Sequence, residues 1–201
     1  MLTSELTILQ DIDARQRREA AEVFYAAFRP KIDHLELMPR SADQAVRILA
    51  ESMRPEMGFF ALWGREVAGV CGMHTRAGRF LDIRGETWRR EFGRLGGWRR
   101  SIWYELGYRF QRPEPDEVRV QGIAVAVHHR GRGIGSAMLE RVSDYARAGG
   151  FKAIVLEVVD TNPDAQRLYE RLGFAVTGQE HYGRWTAAGG FSGATYMRKE
   201  L

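Results

Sequence analysis

The chain has 201 residues, 44% hydrophobic and 28% charged, a length and balance ordinary for one globular domain with a sizeable core, and it shows no repeat or low-complexity tract. The net charge of +4 and pI near 9.4 favour an anionic ligand and admit only weak, non-specific attraction to nucleic acid. Cys71 is the single cysteine, which excludes an intrachain disulfide and points to a reducing, cytoplasmic setting; no apolar run approaches the roughly 18 residues of a membrane span and no signal-peptide core opens the chain, so no membrane role is expected.

In chain order, Leu6 to Leu9 reads as a short strand and Asp13 to Phe28 as a helix with an apolar stripe of Ala20, Val23/Phe24 and Ala27/Phe28, which Pro30 is expected to end. Ser41 is a suitable N-cap for a second helix carrying Ala45, Ile48, Leu49 and Ser52 on one side. Between these helices Asp33, Glu36 and Asp43 form an acidic group that reads either as a solvated loop or as an attraction for a cationic amine. Phe59 to Trp63 and Val67 to Met73 flank Gly64-Arg65-Glu66 as a hairpin, with Cys71 among apolar neighbours as an inert thiol and His74 as its only loose partner. Segment 76–116 then places ten arginines among eight aromatic residues. Trp88, Phe92 and Leu95, then Trp98, Ile102 and Leu106, recur at helical spacing, so two short amphipathic helices split at Gly96-Gly97 are expected before Pro113 and Pro115. The segment has four readings: a wall or lid for a binding site, a homodimer contact through its aromatic face, a nucleic-acid surface, or a packed insertion with solvated arginines.

The stretch from Val120 to Phe174 organises the rest. An apolar run, Gly122 to Val127, is followed by Arg130-Gly131-Arg132-Gly133-Ile134-Gly135-Ser136, by a helical face of Ile134, Met138, Val142 and Tyr145/Ala146 that stops at Gly149-Gly150, and by a second apolar run, Ile154 to Val159. Strand, crossover helix and strand in this order make a right-handed βαβ unit with the helix N-terminus at the first strand's carboxyl end. Unpaired N–H groups and the helix dipole favour an anion there, the glycines keep Cβ atoms out of its way, and Arg130 and Arg132 add formal charge. A Walker A loop fails for want of its lysine, and a dinucleotide fingerprint fails because position 136 is Ser.

These residues resemble the GNAT superfamily of acyl-CoA-dependent N-acyltransferases. Arg130-Gly131-Arg132-Gly133-Ile134-Gly135 fits its Arg/Gln-x-x-Gly-x-Gly/Ala hallmark, Ile123-Ala124-Val125 stands at the usual distance before it, and Asn162, Ala165, Leu168, Tyr169, Gly173 and Phe174 fill the family's Asn-x-x-Ala-x-x-Leu-Tyr-x-x-x-Gly-Phe pattern. The resemblance implies an α/β protein with a mixed central sheet of about six to seven strands flanked by helices, with 76–116 as a helical insertion before the central strand of a single domain covering 1–201. It also implies an N-acetyltransferase that moves an acetyl group from acetyl-CoA directly to a primary amine. Ile123, Ala124 and Val125 would offer backbone groups to the pantetheine arm. Arg130, Gly131, Arg132, Gly133, Ile134, Gly135 and Ser136 would hold the pyrophosphate, Asn162 would touch the coenzyme near the pantetheine, and Tyr169 would protonate the leaving thiolate. Gly122 would mark a bulge that splays the central strands, turning the Val125 N–H towards the thioester as an oxyanion donor.

The base is contested. Glu157, inside the apolar run Ile154 to Val159, would gain proton affinity from desolvation, and Leu156-Glu157-Val158 is similar to the protein N-terminal branch of the family, where that Glu is the base. Glu117 is the rival from other branches, although Arg119 holds their strict position; each Glu also reads as a structural ion pair, and a reaction needing neither stays open. Tyr169 has a packing alternative within the stripe Ala165, Leu168, Tyr169, Leu172. His128 and His129 are expected to face solvent, and no metal site is expected for want of further ligands at a recognisable spacing. Two readings from other classes remain beside the enzyme: a coenzyme-A-binding sensor without transfer activity, and a nucleic-acid-binding protein.

Overall fold

The computed structural model describes residues 5–110 and 112–201, together with their side chains apart from those of Phe110, Arg184 and Trp185. Strands β1 (Leu6–Leu9), β2 (Gly58–Trp63), β3 (Glu66–Thr75), β4 (Gly78–Arg79), β5 (Glu117–Val125), β6 (Ala153–Val159), β7 (Ala175–His181) and β8 (Gly193–Glu200) form one mixed sheet in the order β1-β2-β3-β5-β6-β8-β7, with the two-residue β4 attached to β3. β5 and β6 are the one parallel pair among the described residues, and the helix joining them, α4 (Ile134–Ala148), makes the expected crossover. The other helices are α1 (Ala14–Lys31), α2 (Ala42–Ser52), α3 (Gly85–Phe110) and α5 (Pro163–Arg171).

Both faces of the sheet are covered, so the central strands read as continuous apolar runs. Alternation in β2 sends Phe60 and Leu62 into one cluster with Phe24, Ile48, Leu49, Trp88 and Tyr104 from α1, α2 and α3. The same alternation sends Phe59 and Ala61 into the opposite cluster, with Met138 and Val142 of α4 and Tyr169 of α5.

The N-caps follow the sequence. Asp13 and Gln16 form a reciprocal capping box on α1, and Ser41 caps α2, whose Ala45, Ile48, Leu49 and Ser52 are all buried. Pro30 does not end the first helix as expected. The helix bends at Phe28 (φ −112°, ψ 16°), continues through Pro30 to Lys31 and passes into a π-helical turn, Ile32–Glu36. A proline removes one N–H and crowds the preceding turn, and here the chain absorbs this as a kink.

Segment 76–116 also departs from expectation. The break lies at Gly93 (φ 76°, ψ 175°), and Gly96-Gly97 stay helical. Gly97 is needed where the chain folds back on itself, since a Cβ there would lie 2.4 Å from the Trp88 carbonyl oxygen. Trp88, Phe92 and Tyr104 are buried, whereas Trp98 and Trp103 are 62% and 60% exposed, with Leu95, Ile102 and Leu106 beside them on the surface. Several arginines are tied down: Arg79 reaches Asp82 and Glu105, Arg90 reaches Glu51, and Arg100 lies 4.3 Å over the Phe92 ring.

Candidate active site

β5 and β6 begin as paired neighbours and then part. Glu117, Val118 and Arg119 face Ala153, Ile154 and Val155, and no rung follows among the described residues. The separation coincides with a bulge on the other side of β5, where Gly72 faces Gly122 but Met73 faces Val120, leaving Gln121 as the extra residue. The bulged residue is therefore Gln121, not the expected Gly122. Gly122 is glycine for another reason: a Cβ there would sit 3.0–3.2 Å from the Phe24 and Phe28 rings of α1. The Gln121 side chain holds the bulge in place, its Oε1 accepting from the Phe80 N–H at 3.1 Å and its Nε2 donating to the Tyr108 hydroxyl of α3.

The splay opens a cavity of about 430 Å³. Val120 to Ile123 form one wall, Leu156 to Val159 the other, and Asn162, Ala165 and Tyr169 come from α5. Phe28 and Lys31 of α1 and Arg130 border it as well. The Ala126 N–H donates to Ala68 of β3, so alternation along the strand also points the Ala124 groups at β3 and leaves those of Ile123 and Val125 directed at the splay. Of the three predicted backbone contacts, Ala124 is thus already committed within the sheet.

At the end of β5 the chain turns through a 3-10 segment, Val127–His129, into the glycine-rich loop. Gly131 and Gly133 hold φ of 75° and 76°, the left-handed region that side chains disfavour, and a Cβ on either would meet nothing within 4 Å. The Gly133 N-cap offers no side chain, and among the described residues the amides of Gly131 to Ser136 find no acceptor, so open space lies over a row of unpaired donors. Arg130 donates to the Val125 carbonyl at 3.3 Å on the cavity side, while the Arg132 guanidinium lies 5.0 Å over the Trp63 ring. This cradle fits a diphosphate, and the splay fits an extended arm lying between the strands.

Tyr169 is 6% exposed; burial pushes its hydroxyl well above the ordinary tyrosine range and Cys71 nearby adds to the effect, so the phenol keeps its proton throughout the neutral range. Asn162 caps α5 by accepting from the Ala165 N–H at 3.2 Å, which leaves its amide nitrogen free to face the cavity. Cys71 is fully buried and its thiol is pushed up to about 12 by desolvation alone, which removes it as a nucleophile.

The family profile described as Acetyltransferase (GNAT) family matches residues 19–174. The chain belongs to the GNAT acetyltransferase family. Among curated relatives it is similar to a streptothricin acetyltransferase of Streptomyces lavendulae, 41% identical over 59 residues that cover 29% of this chain and 31% of that protein. Human N-acetyltransferase 8B is 36% identical over 75 residues, 36% of this chain and 33% of that one. The matched stretch thus spans about a third of these relatives' length. Solved structures extend the likeness in fold to nearly the whole chain. An N-acetyltransferase from Staphylococcus aureus Mu50 superposes with a TM-score of 0.62 at 16% identity over 96% of this chain and 99% of that one. A GCN5-related N-acetyltransferase from Kribbella flavida does so at 0.61 and 22% identity over 98% of each.

Within this GNAT fold the two candidate bases separate. Glu157 lines the cavity, its side chain 25% exposed, with Lys31 Nζ 4.0 Å from Oε1 and Arg119 3.9 Å from Oε2. Strand alternation explains the position, since Ile154, Leu156 and Val158 are buried while Val155, Glu157 and Val159 face the other way. The apolar surroundings expected for Glu157 are therefore replaced by two cations. Glu117 lies at the far end of β5, outside the cavity lining, where it pairs with Arg198 of β8 and accepts from the Glu114 N–H at 3.2 Å.

Several features had no signal in the sequence. Lys31 joins Glu36 at 3.2 Å to Glu157, a triad drawn from α1, the π turn and β6. The acidic group of Asp33, Glu36 and Asp43 does not face one site: Asp33 accepts from Tyr25 and Arg29, and Asp43 pairs with Arg18 and Arg47. His129 is buried rather than solvent-facing, its Nε2 3.5 Å from Glu66 Oε2 and its Nδ1 without a hydrogen-bond partner among the described residues, whereas His128 is exposed and bonds Glu66 at 2.7 Å. These three side chains bring ligand atoms within 4.8 Å of one another, a grouping of metal-ligand type that sequence spacing did not reveal. It ties the β2–β3 turn to the loop that precedes the glycine cradle.

Proposed function

We propose that this protein transfers an acetyl group from acetyl-CoA to a primary amine by direct attack within a ternary complex. The observation that carries the reading is the parting of β5 and β6 after Arg119 and Val155, beside a row of unpaired amides at the start of α4. The amides of Gly131 to Ser136 and the Arg130 guanidinium hold the pyrophosphate, with Arg132 able to join them by leaving Trp63. Ile123 supplies the backbone groups that an extended pantetheine arm pairs with, since the Val125 carbonyl is held by Arg130, and Asn162 contacts it from α5.

In the transfer step the amine nitrogen bonds to the thioester carbonyl carbon, the carbon–sulfur bond breaks, and the thiolate takes the proton of the Tyr169 hydroxyl. The Val125 N–H stabilises the developing oxyanion. The proton lost by the amine passes to Glu157, the carboxylate within the cavity, directly or through water. Holding both reactants in one cleft supplies much of the acceleration without a covalent enzyme intermediate, consistent with an inert Cys71. The whole chain acts as one unit in which segment 76–116 forms a wall of the acceptor side, and its lone buried cysteine suits a reducing compartment such as the cytoplasm.

The reading is tested by thermal shift and thiol release. Acetyl-CoA at about one hundred times its Kd should stabilise the protein by about 2.7 kcal/mol, and free thiol should appear only when an amine is added. An unchanged melting temperature overturns the reading. Stabilisation without turnover on any amine replaces it with a coenzyme-binding sensor.

A further inference from the structure

A second cavity, of about 270 Å³, lies between α3 and the π-helical turn. Its walls are Leu35, Trp103, Tyr104, Leu106 and Tyr108, and the only charged groups among its lining residues, Lys31 and Glu36, pair with each other at 3.2 Å. The cavity is not isolated. Lys31 also borders the cleft between β5 and β6, and a small intermediate cavity shares Glu36 and Tyr108 with one side and Phe28 and Gln121 with the other. The aromatic cavity and the cleft thus lie on either side of the Lys31–Glu36 pair, with the small cavity at Gln121 between them.

The chemistry of the aromatic cavity selects among amines. The Lys31 and Glu36 charges in its lining cancel, so a polyamine finds no acidic wall there to hold its further ammonium groups. The carboxylate of an amino acid finds Lys31 already paired with Glu36 and Glu157. The walls instead suit a flat apolar body. Tyr104 and Tyr108 lie ring to ring at 4.6 Å, and the Tyr108 hydroxyl is pushed up to about 12 by burial, so both stay neutral. A dry apolar cavity of about 150 Å³ holds benzene, so the larger volume here accommodates one aromatic ring with a short tether, or a fused pair of rings. Trp103, 60% exposed at the mouth and anchored by its Nε1 donating to the Leu35 carbonyl at 3.1 Å, loses water when such a body enters.

We propose that this cavity is the acceptor subsite and that the acceptor is an arylalkylamine: one aromatic ring system, a short alkyl tether and a single primary amine. The inference rests on the acetyl-transfer reading above. The ring occupies the aromatic cavity, and the tether carries the amine past the Lys31 side chain, which lines both cavities, to the cleft at the splayed end of β5. There it gains the N–C bond as the thioester C–S bond breaks, yielding the N-acetyl amine and the free coenzyme thiol.

Initial rates of thiol release are to be compared for 2-phenylethylamine, tryptamine, butylamine and spermidine. The aromatic amines should exceed butylamine in kcat/KM by about tenfold or more, chiefly through KM, with spermidine lowest. Gly107 lines the cavity and a Cβ there meets nothing within 4 Å, so Gly107→Leu fills the space from the helix side without a clash at the backbone. That variant, with an unchanged melting temperature, should cut the aromatic-over-aliphatic ratio by about fivefold or more. Butylamine or spermidine turning over as well as 2-phenylethylamine, or a ratio unmoved by Gly107→Leu, overturns the acceptor class while acetyl transfer stands. No thiol release with any amine despite coenzyme binding overturns acetyl transfer and the acceptor class with it.

Discussion

Lys31 and Glu157, from a helix and a strand 126 positions apart, meet with Nζ 4.0 Å from Oε1, and the same ammonium lies 3.2 Å from Glu36. One cation thus serves two carboxylates at the junction of the β5–β6 cleft and the aromatic cavity. Lys31→Met should cost about 1–2 kcal/mol, between the values for exposed and fully buried pairs, because the side chain is partly shielded. Glu36 first, and Glu157 after it, raise the Lys31 pKa above its usual 10.5. A raised lysine pKa contributes stability that is fully present below the unfolded value and is lost only as pH climbs past it. The melting temperatures of wild type and variant should therefore differ by a constant margin from roughly pH 6 to 9 and converge above about 10.5.

Glu157 and Glu117 answer to different measurements. Glu157→Gln should lower kcat by about a hundredfold, with little change in acetyl-CoA affinity. Glu117→Gln should leave the rate in place and lower the melting temperature, since it removes the partner of Arg198 at the base of β5. A Glu117→Gln enzyme that keeps its stability and loses turnover would reverse the assignment.

Tyr169→Phe removes a hydroxyl for which no hydrogen bond is recorded among the described residues, so its fold should survive the change. Turnover should fall by about a hundredfold or more while calorimetric affinity for acetyl-CoA stays within roughly threefold. Equal turnover in the variant would leave Tyr169 as core packing alone.

Gly133 and Gly150 share the left-handed conformation, at φ 76° and 72°, and neither would crowd a neighbour with a Cβ. Leucine at either position should cost about 1–2 kcal/mol of backbone strain. Only Gly133→Leu projects over the unpaired amides, so coenzyme A affinity should drop by about tenfold or more there and remain unchanged in Gly150→Leu. Comparable affinities in the two variants would locate the phosphate elsewhere.

His74 is buried, its Nδ1 without a partner among the described residues, and lies beside the Tyr108 ring; burial first, then Arg79, Arg119 and Arg112, lower its pKa from 6.5 to about 4. The unfolded chain then binds more protons than the folded one between those values, so this stabilisation is complete above about 6.5 and is lost as pH falls towards 4. His74→Phe should flatten the loss of melting temperature between pH 7 and 4.5. An acid limb as steep in the variant as in the wild type would assign that limb to other groups.

The sequence alone determined whatever depends on near neighbours. The capping residues Asp13 and Ser41, the hairpin around Gly64, the βαβ unit and the glycine cradle from Arg130 to Ser136 were all legible. Each rests on relations within a few residues: a side chain reaching a nearby amide, a positive φ, or an apolar period. Tertiary structure decided what depends on register and crossing. Gln121 rather than Gly122 became the bulge because Phe24 and Phe28 press on Gly122 while Phe80 and Tyr108 bind the Gln121 side chain. The helix break fell at Gly93, while Gly97 stayed helical with the Trp88 carbonyl packed against it. Glu157 reached the cleft and Glu117 did not because β5 and β6 part only after Arg119, a divergence set by the whole sheet. The aromatic cavity exists only where α3, the π turn and α1 converge at Lys31, and a pattern read along one strand of chain carries no information about that meeting.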